Sequence, residues 1–246
     1  MNCLLLPSAA FIDSRATITA AAQLMHIREV LKAGVGETLK VGMLGGKLGT
    51  GVIETISERA VHLSDVTLTH VPPPKLDITV VLALPRPKVL RRLIMDMTAL
   101  GVRDIVLVNS YRTEKSYWQS PQLARIDEFV LEGLQQGVDT VLPRIHMHKR
   151  FKPFVEDVLP DLMTRQGIVA HPYAKRSLAQ YIQSTASQAD LLPDVLCIGA
   201  EGGWIDYEVA LLTAHGCTAL HMGARILRTE AAVNALLGQW LLHQNP

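Results

Sequence analysis

The segment Ile198-Gly199-Ala200-Glu201-Gly202-Gly203-Trp204, followed downstream by Met222-Gly223-Ala224-Arg225-Ile226-Leu227-Arg228-Thr229-Glu230-Ala231-Ala232, decides how this chain reads. Each stretch places a glycine close behind a short apolar run, Val195 to Ile198 in one case and Thr218 to His221 in the other. A strand that ends in glycines brings backbone N–H and C=O groups against a ligand with no Cβ in the way. Two such loops in tandem predict a pocket. The second loop carries Arg225, Arg228, Thr229 and Glu230 into a helical segment, so charged groups and helix N-terminal donors converge on that pocket. A lone Gly202-Gly203 pair would serve equally well to turn the chain into a helix starting near Asp206. The two charges and the hydroxyl directly behind Ile226 and Leu227 are more than such a turn requires.

Upstream of these loops, short apolar runs alternate with helical stripes. Ile78 to Leu84, Ile105 to Val108, Gly167 to Ala170, Val195 to Ile198 and Thr218 to His221 suit buried parallel strands. Between them Val89, Leu93, Met97 and Leu100, and then Leu123, Ile126, Val130 and Leu134, recur at helical spacing. The order predicts an α/β domain with a parallel sheet. Ligands in such sheets bind beyond the carboxyl ends of the strands, where His171 and the loops at Gly199 and Gly223 fall.

A boundary precedes this pattern at His70-Val71-Pro72-Pro73-Pro74-Lys75, because consecutive prolines continue neither a ladder nor a helix. Before it, Thr38 to Met43, Leu48 to Ile56 and Ala60 to Thr69 are β-rich and separated by glycines and polar turns, the texture of a small barrel. Ala20 to Lys32 carries Leu24, Ile27 and Leu31 at helical spacing and stops at Gly34. Two domains are expected, residues 1–71 and 76–246.

The two glycine motifs, together with Ile168-Val169-Ala170-His171-Pro172, resemble the RsmE family of 16S rRNA uridine-N3 methyltransferases in the SPOUT superfamily. The resemblance implies a C-terminal trefoil knot that holds S-adenosylmethionine, and a PUA-like β-barrel at the N-terminal end that helps to hold RNA. By the same route His171, Pro172, Gly199, Ala200, Glu201, Gly202, Gly203, Met222, Gly223, Ile226, Leu227, Arg228, Thr229 and Ala231 would contact the cofactor. It also implies a homodimer, built on the knot and on a last helix, about Ala231 to His243, with Val233, Leu236, Leu237, Trp240 and Leu241 on one side.

Uracil N3 carries a weakly acidic imide proton, and its loss leaves charge shared with O2 and O4. A fixed guanidinium stabilises that charge, which makes Arg228 the first candidate, while Glu201 and Glu230 are the carboxylates that could take the proton. An ion pair or a helix N-terminal charge is an equal reading for Glu230. Departures from the family pattern concentrate upstream. Met95 to Val102 lacks the lysine and glutamate usual there, and a Glu-Gln pair followed by arginine is replaced by Gln135, Gln136 and Asp139. Three readings follow: a uridine-N3 methyltransferase of small-subunit rRNA, the same chemistry on another rRNA site or a tRNA, and a non-catalytic dimer that binds RNA or cofactor.

The formal charge of +1 selects no partner, but its distribution is uneven. Arg86, Lys88, Arg91 and Arg92 form one basic segment, and Arg144, His146, His148, Lys149, Arg150 and Lys152 another. These are either RNA contacts or solvated faces, and Arg86, Lys88, Arg91, Arg92, Arg112 and Arg150 are the candidates for RNA. His146 and His148 have no third ligand at metal spacing, so no metal is expected. Cys3, Cys197 and Cys217 form no C-x-x-C pair, and the latter two lie in apolar runs that suit small core residues. The 48% hydrophobic content is ample for a core yet holds no membrane-length apolar run, and the N-terminus lacks a basic signal-peptide start. A cytoplasmic protein is expected.

Overall fold

The computed structural model describes residues 2–185 and 192–244. The chain divides into two compact units. One comprises the residues up to Pro74 together with Val130–Leu142, the other Lys75–Phe129 together with the chain from Pro143 onward.

In the first unit, strands β1 (Leu4–Leu6), β2 (Phe11–Ile12) and β3 (Arg15–Ile18) precede a short helix, α1 (Ala21–Met25), and three longer strands follow, β4 (Thr38–Met43), β5 (Leu48–Ile56) and β6 (Val61–His70). They form one six-stranded sheet in the order β1-β4-β5-β6-β3-β2, in which β1 pairs parallel with β4 and every other neighbour is antiparallel. Alternation sets the faces. In β4 Leu39 and Val41 are buried while Thr38 and Lys40 are exposed. These side chains join Leu4, Leu6, Ile18, Ile27, Ile53 and Leu63 in a single core.

The helix expected over Ala20 to Lys32 divides. α1 passes at His26 into a π-helical turn, His26–Leu31, and ends with Lys32 at φ +52°. A non-glycine residue at positive φ is uncommon.

The second unit begins with β7 (Leu76–Ala83), α2 (Pro87–Ala99), β8 (Val102–Val108) and α3 (Ile126–Gly137), whose residues from Val130 count with the first unit. It continues with β9 (Arg144–His148), then α4 (Phe151–Pro153), which runs through a π-helical turn into α5 (Leu159–Leu162). After β10 (Gly167–Ala170), β11 (Arg176–Ser177) and α6 (Leu178–Thr185) come β12 (Val195–Ile198), α7 (Asp206–Ala214), β13 (Cys217–His221) and α8 (Thr229–Gln244). Seven strands form a wholly parallel sheet in the order β11-β13-β10-β12-β7-β8-β9.

The central strands are buried almost residue for residue, as a sheet covered on both faces requires. β9 was not expected as a strand. It is an edge strand with one partner, and its basic sequence is mostly exposed, which is how edges avoid pairing with other chains. The chain lays β8 and β9 on one side of β7 and returns to place β12, β10 and β13 on the other. The loops that leave β10, β12 and β13 are therefore neighbours at the carboxyl end, the crevice in which such sheets bind ligands. Among the described residues no helix is long and apolar enough to cross a membrane.

Candidate active site

The loop after β12 is folded tightly on itself. Gly203 sits at φ +69°, its N–H donates to the Ala200 carbonyl at 2.8 Å, and a Cβ on Gly199 would lie 2.8 Å from the Gly203 backbone. Real Cβ atoms essentially never approach backbone so closely, so the tight fold itself demands glycine at 199. Glu208, 2% exposed in the first turn of α7, holds the far end of the loop by accepting the Ile205 N–H at 3.0 Å. The same carboxylate accepts the Tyr111 N–H at 2.7 Å, which ties in the loop that leaves β8. Arg112 completes the clamp: its guanidinium donates to the Gly202 carbonyl and its side chain packs over Gly202.

The loop after β13 is shaped differently. Gly223 lies at φ +133°, a conformation that L side chains rarely adopt, and its N–H donates to Nδ1 of His221 at 3.0 Å. An imidazole that accepts through Nδ1 carries its proton on Nε2 when neutral, so His221 is held as a donor through Nε2. The loop after β10 is joined to β13 by the His171 N–H, which donates to the Leu220 carbonyl at 2.9 Å. The His171 ring meets Tyr173 edge-on with centroids 5.7 Å apart.

These three loops enclose a cavity of about 210 Å³. Ile198, Leu220 and Leu236 supply apolar wall, and Arg112, Arg225, His171, His221 and Glu201 supply the ionisable groups. Glu201 accepts the Arg86 N–H through Oε1 at 3.1 Å, which leaves Oε2 unengaged by that bond. A model of the RNA methyltransferase domain matches residues 72–241. Over 215 residues the chain is 31% identical to a ribosomal RNA small subunit methyltransferase E from Treponema pallidum, covering 85% of this chain and 79% of that protein. The chain belongs to the ribosomal RNA small subunit methyltransferase E family.

A second member of the family, from Synechocystis sp., is 27% identical over 93% of this chain and 73% of its own length. The fold agrees with solved structures. A ribosomal RNA small subunit methyltransferase E from Neisseria gonorrhoeae, bound to S-adenosyl methionine, superposes with a TM-score of 0.74 at 19% identity, covering 98% of this chain and 97% of that one. A putative methyltransferase from Legionella pneumophila, in complex with the same cofactor, gives a TM-score of 0.76 at 20% identity over 98% and 97% of the two chains.

His171, Pro172, Gly199, Ala200, Glu201, Gly202, Gly203, Met222, Ile226, Leu227 and Thr229 line the cavity, whereas Gly223, Arg228 and Ala231 do not. Arg228 is exposed and lies between two lining residues, Leu227 and Thr229. Glu230 pairs with Arg92 of α2 at 3.4 Å, and Asn234 donates to Asp96 at 3.1 Å, so α8 is bonded to α2 at two points. Sequence reasoning did not single out His221, Tyr173 or Leu236 for the cavity, and it assigned Arg112 to RNA. The signal for His221 was available in its place, the last residue of a strand at the ligand-binding end of a parallel sheet. The meeting of Arg112 with Gly202 had none.

The basic segments are largely engaged. Arg86 opens α2, and Arg92 is in the pair just described. In the second segment Arg144 makes two hydrogen bonds to Asp104, at 2.6 and 2.7 Å, Lys152 pairs with Glu156 at 3.6 Å, and the Lys149 ammonium stands 6.0 Å from the Trp118 ring centroid. Arg150 is exposed. Burial pushes His148 below its ordinary value, and the neighbouring His146 lowers it further. The ring of His148 packs on Phe154 at 4.9 Å. Cys197 and Cys217 are buried in the hydrophobic core of the second unit. No group of three or more potential metal ligands occurs among the described residues.

Proposed function

We propose that the chain is an S-adenosylmethionine-dependent methyltransferase that modifies N3 of a uridine in 16S rRNA. The reading rests on the cavity where three strand-end loops converge, its apolar wall beside a single carboxylate and several cationic groups. The residues present fit an adenosyl amino acid: Ile198, Leu220 and Leu236 offer apolar surface to a purine, and the glycine backbone of 199–203 admits close approach. His171, Pro172, the 199–203 loop and the segment from Met222 to Ala231 hold it, knotted together as the family resemblance implies. The first unit acts as a PUA-like barrel that helps to hold RNA, with Arg86, Lys88, Arg91, Arg92 and Arg150 as further RNA contacts. The protein works as a cytoplasmic homodimer, and the exposed Leu241 and Leu242 at the end of α8 are apolar surface for that pairing.

The bound cofactor supplies a methyl group already activated by its sulfonium. The chain's own task is to position a uracil and to remove its imide proton. Glu201 is the proton acceptor, fixed through Oε1 by the Arg86 N–H and free of that bond at Oε2. Arg228, on the rim, stabilises charge that develops on the uracil oxygens, and Arg225 in the lining adds to the same field. Glu230 acts through its pair with Arg92, keeping the start of α8 in place beneath the loop.

The test incubates the protein with isotopically labelled S-adenosylmethionine and undermethylated small ribosomal subunits, and identifies the labelled nucleoside by mass spectrometry. Labelled 3-methyluridine is expected, and Glu201→Gln should abolish it while cofactor binding survives. Label in a different nucleoside, or none in subunits when cofactor binding is measurable, would overturn the reading.

A further inference from the structure

The first unit holds a cavity of about 570 Å³ that the proposed reaction does not use. Leu31, Leu39 and Val138 form its apolar wall, and His26, Glu37 and Lys40 stand among its polar groups. The volume lies within the range of pockets that bind small organic molecules.

Backbone irregularities gather around this cavity. The π-helical turn His26–Leu31 begins and ends on lining residues, and Lys32 at φ +52° follows it directly. Val138 stands at φ +55°, and a β-branched residue in that region is a genuine outlier. It caps α3, where the Asp139 N–H donates to the Leu134 carbonyl at 3.0 Å, a position that glycine ordinarily fills. π-helical turns and strained residues concentrate at binding sites. Nε2 of His26 is buried and has no partner among the described residues, so its hydrogen-bonding capacity is unspent. Cys3, also in the lining, is no nucleophile here. Burial pushes its thiol up to about 11, although the Lys40 charge opposes the shift.

A cation at the rim, an apolar wall and a buried polar atom without a partner match one ligand chemistry in a chain that modifies RNA. Single-stranded RNA is recognised by splayed bases placed against side chains, with cations on the phosphates. We propose that this cavity receives one nucleotide of a single-stranded RNA segment, its base against Leu31, Leu39 and Val138, its polar edge toward His26, and its phosphate at Lys40. The proposal rests on the RNA-methyltransferase reading and gives the first unit an RNA contact of its own.

The test uses the full chain and a single-stranded RNA carrying 4-thiouridine at successive positions, with photo-crosslinks mapped by mass spectrometry. Crosslinks are expected in peptides that contain Leu31, Leu39 or Val138. Lys40→Glu, on an exposed position of β4, should weaken RNA binding at least about fivefold at 0.1 M salt, and the uncharged Lys40→Ala should reduce the salt slope by roughly one contact. Cofactor affinity, measured by calorimetry, should not move in either variant. Uridine methylation with no crosslink in these peptides, or unchanged RNA affinity in Lys40→Glu, would overturn the cavity and leave the methyltransferase reading standing. Crosslinks here without methylation of any uridine would uphold the cavity and remove that reading.

Discussion

The Arg112 guanidinium donates to the Gly202 carbonyl, and a Cβ at position 202 would come within 2.7 Å of Arg112 Cδ. The two residues come from loops that leave different strands, so this contact helps to set the shape of the wall they share. Because Arg112 is exposed, water screens this bond, and its contribution is about 0.5–1.5 kcal/mol.

Arg112→Ala should therefore weaken S-adenosylmethionine binding by about two- to tenfold, by calorimetry. An RNA phosphate contact would behave otherwise. It would leave cofactor affinity alone and reduce the salt dependence of RNA binding by about one contact. Measuring both quantities on one variant separates the two roles, and a shift confined to the salt dependence would refute the clamp.

Glu208 is the second fastening. Its buried carboxylate satisfies the N–H groups of Tyr111 and Ile205, and Glu208→Ala leaves both without that acceptor. Each orphaned donor costs about 1–3 kcal/mol. A clear fall in melting temperature is expected, with partial recovery in Glu208→Gln, whose amide oxygen still accepts. A melting temperature within a degree of the parent protein would show that water replaces the carboxylate.

Asp104 gives the stability a dependence on acid. Burial raises its pKa, but hydrogen bonds from Arg144 and Arg103 outweigh burial and hold it below the usual carboxylate value. A group depressed in this way stabilises the fold above its unfolded value, near pH 4, and loses that contribution as pH falls through the folded value. Asp104→Asn should cost about 1–2 kcal/mol at neutral pH, a modest figure because both arginines remain partly hydrated, with side chains 67% and 39% exposed. Denaturant titrations at pH 7 and pH 3 should show the gap between the two proteins closing in acid. A gap that is equal at both would exclude the pairing as its source.

Val138→Gly should stabilise the protein, because glycine adopts φ +55° without the steric cost that valine meets there. Relief of about 1 kcal/mol raises the melting temperature of a chain this size by about 2–4 °C. An unchanged or lower value would mean that valine's packing outweighs its strain.

Local pattern carried a large part of this molecule. Thr38–Met43, Leu48–Ile56, Gly167–Ala170 and Val195–Ile198 form strands with the bounds expected from their apolar runs. The parallel order, the glycine loops and the family motifs were equally legible, because each is written in consecutive residues. β9 was not, since an edge strand has a single partner and Arg144 to His148 need no apolar run. The π-helical turn at His26 also has no periodic signature.

The sequence by itself determined the α/β architecture, the family and most of the cavity lining, because strand-end glycines and apolar periodicity act over a few neighbouring residues. Only the tertiary structure decided that Arg112 serves Gly202, that Glu230 is bound to Arg92, that His221 faces the cavity as an Nε2 donor, and that Val130–Leu142 counts with the first unit. Three of these are meetings of groups far apart along the chain. His221 and Gly223 are only two residues apart, but their bond depends on a φ that no residue pattern announces. Side-chain partners are fixed when the loops close, and the same arginine is equally at home on a phosphate or on a carbonyl until the fold places one of them within reach.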